Sequence, residues 1–243
     1  MLMFAVLARE RGRLFGLSLL SLLSLIQSAH ANGVSGTITD GKTVTGTISA
    51  SGHDDYSFSA TQGATFIVSL GETGTHDQLF RPQLEVIPPG ATSGPYEARP
   101  YYTNRVVTKA AAGNWTLRVS RLDSGNSSGG SYALKLAVVG SGAQIAAGQD
   151  KSGTNTRGGI DVYTFAGTAG HSSHLTLTPT SHNKFVPEIY VFGPDGAQVS
   201  GVYCAAKCSF DVPTANGTYT VMALKHDDHD VTGSYALSVS NAN

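Results

Sequence analysis

Asp55-Tyr56-Ser57-Phe58-Ser59-Ala60, followed by Gly63, returns later in the chain as Asp161-Val162-Tyr163-Thr164-Phe165-Ala166, followed by Gly170. Two more landmarks recur in the same order. Gly113-Asn114-Trp115-Thr116-Leu117-Arg118-Val119 answers to Gly217-Thr218-Tyr219-Thr220-Val221-Met222-Ala223, and Gly130-Ser131-Tyr132-Ala133-Leu134 to Gly233-Ser234-Tyr235-Ala236-Leu237. The offsets are 106 for the aspartates, 104 for the first glycines and 103 for the last. A period this constant over three landmarks marks a duplication. It divides the chain into copy one over 32–140 and copy two over 141–243, joined near Gly140-Ser141-Gly142.

Within each copy the apolar residues alternate. Tyr56 and Phe58, then Phe66, Val68 and Leu70, then Leu117 and Val119, then Leu134 and Leu136 are spaced by two, and copy two repeats this at Leu175 and Leu177, Ile189 and Val191, and Leu237 and Val239. Period two belongs to strands with one buried face. Between the runs lies turn chemistry, clearest at Gly193-Pro194-Asp195-Gly196, where Pro fixes one dihedral and Gly tolerates positive φ. The fold expected is all-β: two tandem antiparallel sandwiches or jelly rolls.

Composition agrees. Charged residues are 14% of the chain while glycine supplies 29 residues, the usage of short strands joined by tight turns. Arg9, Arg11 and Arg13 precede an apolar run from Leu14 to Ile26 and then Ala29-His30-Ala31, the order of a secretory signal peptide over residues 1–31. The run is shorter than the roughly 18 residues of a spanning helix, so the expectation is a secreted or periplasmic protein with no stable membrane insertion. Cleavage would remove three arginines and one glutamate from the 16 basic and 17 acidic residues, leaving a net charge of −3 with histidine neutral. Such a charge gives no basis for binding nucleic acid or an anionic membrane.

At these residues the sequence resembles the bacterial pre-peptidase C-terminal domain family, a module often attached to secreted peptidases. Copy two carries its pattern at Asp161, Tyr163, Phe165, Gly170, Pro187, Pro194, Asp195, Gly196, Gly217, Tyr219, Val221, Gly233, Tyr235 and Leu237. Copy one departs from it, with Pro88-Pro89-Gly90 at the turn, Trp115 for the tyrosine and a longer stretch around Tyr96 to Tyr102. The resemblance implies a sandwich fold. It also implies calcium as the cofactor to test, with Asp55 and Asp161 as candidate ligands, because some relatives of this fold are calcium-dependent. The peptidase domain that usually accompanies the module is not in this sequence.

No His-Glu-x-x-His or EF-hand pattern occurs. Gly36-Thr37-Ile38-Thr39-Asp40-Gly41-Lys42-Thr43 fits the P-loop string and Gly125-Asn126-Ser127-Ser128-Gly129 the Gly-x-Ser-x-Gly string, but each needs a helix directly after the motif and no stretch past residue 31 keeps a helical period, so no catalytic residue is assigned. Cys204 and Cys208 are the only cysteines; oxidising surroundings favour a disulfide between them. Lys225-His226-Asp227-Asp228-His229-Asp230, between the last two strands, offers imidazoles for a transition metal and carboxylates for a hard cation, or is a solvated loop. His171, His174 and His182 read as scattered surface polar residues, and Trp115 as core. Tyr96, Tyr101 and Tyr102 lie in an insertion private to copy one and are candidate binding residues, since loops on a rigid scaffold carry recognition.

The function expected is a non-catalytic exported binding or accessory protein recognising a polysaccharide, a matrix protein or a partner enzyme such as a secreted peptidase. Two alternatives stand beside it: a small secreted hydrolase with its site near His226, His229 and Asp230, and a chaperone or inhibitor of a peptidase.

Overall fold

In the computed structural model the described residues are 35–49, 52–74, 80–98, 102–107, 109–122, 129–204, 206–226 and 232–242, and every regular element among them is a β-strand. The candidate signal segment 1–31 lies outside them, and no helix among them is long and apolar enough to cross a membrane.

The first nine strands are β1 (Ser35–Thr37), β2 (Thr43–Ile48), β3 (Asp54–Ala60), β4 (Phe66–Glu72), β5 (Pro82–Ile87), β6 (Tyr96–Ala98), β7 (Tyr102–Val107), β8 (Gly113–Arg121) and β9 (Gly130–Val138). They form one sheet in the order β1-β3-β8-β5-β6 and a second in the order β2-β9-β4-β7. The next nine are β10 (Ala143–Gln144), β11 (Gln149–Asn155), β12 (Ile160–Gly167), β13 (His171–Pro179), β14 (Pro187–Phe192), β15 (Gln198–Tyr203), β16 (Cys208–Thr214), β17 (Gly217–Lys225) and β18 (Gly233–Ala242). They repeat the plan as β10-β12-β17-β14-β15 and β11-β18-β13-β16. Among the described residues β1 pairs with β3 and β10 with β12 in parallel, and the other ladders are antiparallel. Among the described residues no sheet mixes strands from the two halves.

Each half closes on its own core. Phe58, Phe66, Leu70, Leu84, Trp115, Leu117, Leu134 and Leu136 fill the first, and Phe165, Leu175, Leu177, Ile189, Val191, Tyr219, Val221 and Leu237 the second. Trp115 is 7% exposed, meets Phe66 edge-on at 5.4 Å and donates its indole N–H to the Ala111 carbonyl at 3.0 Å. Tyr219, at the same place in the second half, stacks on Phe165 at 5.1 Å and accepts from the Ala215 N–H at 2.9 Å. The Gly193-Pro194-Asp195-Gly196 turn forms as expected, with the Gly196 N–H donating to the Gly193 carbonyl and φ of 75° at Gly196.

A third apolar cluster joins the halves. Ile67 and Ala137, on the outer face of the β2-β9-β4-β7 sheet, meet Ile160, Phe192, Met222 and Leu224 on the outer face of the β10-β12-β17-β14-β15 sheet, and all six are fully buried. Val106, Val139, Val162 and Tyr190 pack around them. Burying the Ile, Phe, Met and Leu side chains stabilises by about 1.5–3 kcal/mol each, and Ala137 by less. Two hydrogen bonds cross beside the cluster, Thr65 Oγ1 to the Gly196 carbonyl and the Gly140 N–H to Thr220 Oγ1, each 2.8 Å. Glu72 and Arg157, both buried, form an ion pair across the same junction at 3.5 Å.

Candidate functional site

The duplicated Asp and Tyr positions meet inside each sandwich. Tyr132 Oη donates to Asp54 Oδ2 at 2.6 Å and lies 2.7 Å from Tyr56 Oη. A phenol has one proton, so with Tyr132's committed to the carboxylate, Tyr56 is the donor to Tyr132. In the second half Tyr235 Oη donates to Asp161 Oδ2 at 2.7 Å and accepts from Tyr163 at 3.0 Å. Each relay lies against the glycine paired with its central tyrosine. A Cβ at Gly46 or Gly153 would strike the hydroxyl of Tyr132 or Tyr235. Burial first, then the neighbouring Asp54 or Asp161 carboxylate, pushes Tyr132 and Tyr235 far above the ordinary phenol range. Tyr56 and Tyr163 are also raised, chiefly by burial.

Register therefore makes Asp54, not Asp55, the counterpart of Asp161, because Tyr56 pairs with Leu117 as Tyr163 pairs with Val221. Asp55 points to the other face of β3, where Arg118 holds it through Nε at 2.8 Å and a second nitrogen at 3.0 Å. Glu85 lies 3.6 Å from the same guanidinium and His53 3.8 Å from Asp55. The Asp55 hydrogen bond is the main cause that raises Arg118 above its usual value.

His226 closes a different cluster. It follows β17, and its ring stacks on that of Tyr203, the last residue of β15, at 4.4 Å and 9°. Its Nδ1 lies 3.5 Å from Glu188 Oε2, a loose polar contact rather than a hydrogen bond. Tyr190 Oη donates to Glu188 Oε1 at 2.8 Å. Glu188 and Tyr203 are direct cross-strand partners, so they share a face. The backbone fixes the stack, since the consecutive carbonyls of Val186 and Pro187 accept from the His226 and Cys204 N–H groups at 2.8 Å. Tyr203 is 59% exposed. Cys204, next in sequence, is joined by a disulfide to Cys208, as expected, with Cα atoms 5.4 Å apart.

Sequence reading singled out His226 but missed Glu188, Tyr190 and Tyr203, which reach it only through the pairing of β14 with β15 and β17. Asp227, Asp228, His229, Asp230 and Tyr101 lie outside the described residues. Tyr96 starts β6 and pairs with Glu85; Tyr102 starts β7 and pairs with Gly71. Among the described residues no group of three or more His, Cys, Asp or Glu is placed to hold a metal. His174 pairs with Asp211 at 2.6 Å on an exposed face. His171 lines a shallow polar groove with Ser172, Thr214 and Asn241, away from His226.

The protein is thus a tandem of β-sandwiches with an aromatic and polar cluster open on one sheet of the second. No family model and no curated protein matches the chain. Among solved structures it is similar to the pre-peptidase C-terminal domain of a collagenase from Bacillus anthracis, at 17% identity and a TM-score of 0.32, over 41% of this chain and 95% of that one. It is also similar to PliG of Aeromonas hydrophila, a periplasmic inhibitor of g-type lysozyme, at 13% identity and 0.36, over 44% and 99%. The CUB1-EGF-CUB2 domain of human MASP-1/3 matches at 7% identity and 0.23, over 82% and 99%.

Proposed function

We propose that this chain is an exported, non-catalytic binding or accessory protein that presents the Tyr203 surface of its second sandwich to a ligand outside the cytoplasm. What supports this reading above all is an exposed aromatic ring held in place by a partly buried framework: Tyr203 lies on His226, and His226 on Glu188. Rigid aromatic area presented this way suits recognition. A hydrolase needs a nucleophile or activated water held against its base, whereas the side chains that contact the His226 ring are the Tyr203 phenol on its face and Glu188 beside Nδ1, neither of them such a nucleophile. Export is supported by the Cys204–Cys208 disulfide, a bond that persists in oxidising compartments. Calcium belongs to the proposal as a stabiliser: at about a hundred times its Kd, a ligand bound only by the native state adds roughly 2.7 kcal/mol, which a melt in excess calcium against chelator reads directly.

The test is to incubate the chain with soluble polysaccharides, denatured collagen and casein and to measure both capture and new reducing ends or amines. Capture without turnover is the expected result. Turnover abolished by His226→Ala would replace this reading with the hydrolase.

A further inference from the structure

On the binding reading above, we infer that the outward face built from Tyr203, His226, Glu188, Tyr190 and Gln198 is a binding site for neutral pyranose polymers, with the free face of the Tyr203 ring as its stacking platform. A pyranose is a disc with apolar C–H faces and a rim of hydroxyls. Its site needs a flat ring with one open face, and donors and acceptors at that ring's margin. Tyr203 supplies the ring: His226 covers one side at 4.4 Å and near-parallel, while 59% exposure leaves the rest to solvent. The stack is positioned before any ligand arrives, by the backbone bonds at Val186 and Pro187 and by the adjoining disulfide. Little ordering then remains to oppose binding.

The rim is polar, and its strands β14 and β15 bring no Lys or Arg to it. With His226 Nδ1 turned toward Glu188, Nε2 lies at the ring's other edge. Gln198 adds an amide whose nitrogen lies across Gly201, where a Cβ would approach it to 2.7 Å and the Tyr190 ring to 3.0 Å. Any side chain at 201 would displace both. No Lys or Arg occurs in β14 or β15, and Glu188 already contacts Tyr190 and His226. An anionic polymer therefore finds no counter-charge on these strands, and a neutral one needs none. The fully buried centre of a protein interface is more apolar than its rim, and Val199 and Tyr203 are the only large apolar side chains exposed among the described residues to form one.

The test is affinity electrophoresis of the full chain through gels containing hydroxyethylcellulose, laminarin or glycol chitin as neutral probes, polygalacturonate as an acidic one and gelatin as a peptide. At least one neutral polymer should retard the wild type, equally at about 0.05 and 0.5 M salt, since no charge pair is screened. Tyr203→Ala should weaken that binding about tenfold or more, the equivalent of one lost stacking contact. Tyr203→Phe should stay within about threefold, and Val199→Ala should bind like the wild type. Melts of all three variants matching the wild type would place the loss at the surface. No retardation by any neutral polymer, or unchanged binding by Tyr203→Ala, overturns the saccharide assignment. Retardation by gelatin alone that Tyr203→Ala abolishes also overturns it while leaving the binding reading in place. Reducing ends whose release depends on His226 would overturn both.

Discussion

Ile67, Ala137 and Val106 make a cross-strand row on the outer face of the first sandwich, buried against the second. At the same register positions the second sandwich carries His174, Ser240 and Asp211, an exposed polar row. The other outer face shows the reverse. Val162, Met222 and Tyr190 of the second sandwich line the junction, and their counterparts in the first are Asp55, Arg118 and Glu85, a charged row on the surface. Duplication kept the inner faces, with the same tyrosine relay and aromatic core. The outer faces followed place in the tandem: apolar where another sheet covers them, polar where the stack ends. Repeat proteins cap their terminal units for the same reason, and a two-unit stack needs a cap on each unit.

The comparison breaks most sharply at the junction. Ile67→Asp would bury an unpaired carboxylate at a fully enclosed position and should cost on the order of 4 kcal/mol. Urea unfolding should separate into two transitions, and small-angle scattering should show a longer molecule. His174→Asp, its counterpart on the open face, loses the contact with Asp211 and sets two carboxylates opposite each other, yet in solvent it should cost no more than about 1 kcal/mol. Equal effects of the two changes would mean that the halves are not held by this cluster.

A disulfide is present in the second sandwich at a place the first leaves without cysteine. Closing so short a loop contributes about 2 kcal/mol on the chain-entropy estimate. Reductant should therefore lower the melt of the intact chain, and in the Ile67→Asp variant it should lower the transition of the second half and leave that of the first unchanged. In hydrogen exchange, protection should fall along β15 and β16 and hold in β4 and β9.

The two relays differ in burial, and this orders the next pair of effects. Asp54 is 4% exposed while Asp161 is only partly buried, so Tyr132→Phe, which strips a donor from the more enclosed carboxylate, should cost about 1–3 kcal/mol and Tyr235→Phe less. All four relay tyrosines have raised values in the folded chain. Their neutral forms therefore stabilise the fold fully below the unfolded phenol value of about 10, and that stability is lost as pH rises above it, by about 1.4 kcal/mol per pH unit for each tyrosine that stays protonated. Urea midpoints from about pH 9 to 11 should fall steeply in the wild type, and less steeply by one tyrosine in each Phe variant.

Much of this was legible in the sequence. Alternation gave the strands and the period gave the duplication, because inner faces must be apolar at every second residue. The junction was legible too, but in a different pattern: Phe66-Ile67-Val68 and Val221-Met222-Ala223-Leu224 are unbroken apolar runs, whereas their counterparts Ser173-His174-Leu175 and Leu117-Arg118-Val119-Ser120 alternate. A strand buried on both faces loses its period. The Asp54-Asp55 doublet hid the relay acid, although the 107-residue offset of Tyr56 and Phe58 from Tyr163 and Phe165 selects Asp54. The Tyr203 cluster left no local signal, since Glu188, Tyr203 and His226 are neighbours only through the pairing of three strands.

The smallest effect tests the capping logic itself. Arg118 and Asp55 are each close to a third exposed, and exposed pairs contribute about 0–1 kcal/mol, so Arg118→Met should barely move the melt. It also gives the first sandwich the central residue of the docking row that the second one buries. Alone it has no complement, because the apolar row at Ile67 is covered within the same chain, and the variant should sediment as the wild type does. Joined with Asp55→Val and Glu85→Tyr, and with His174→Ile, Ser240→Ala and Asp211→Val on the far face, it should create two complementary ends that cannot meet within one molecule. Such a contact does not close, so sedimentation should show concentration-dependent head-to-tail chains. A sixfold variant that stays monomeric would mean that shape rather than polarity ends the stack.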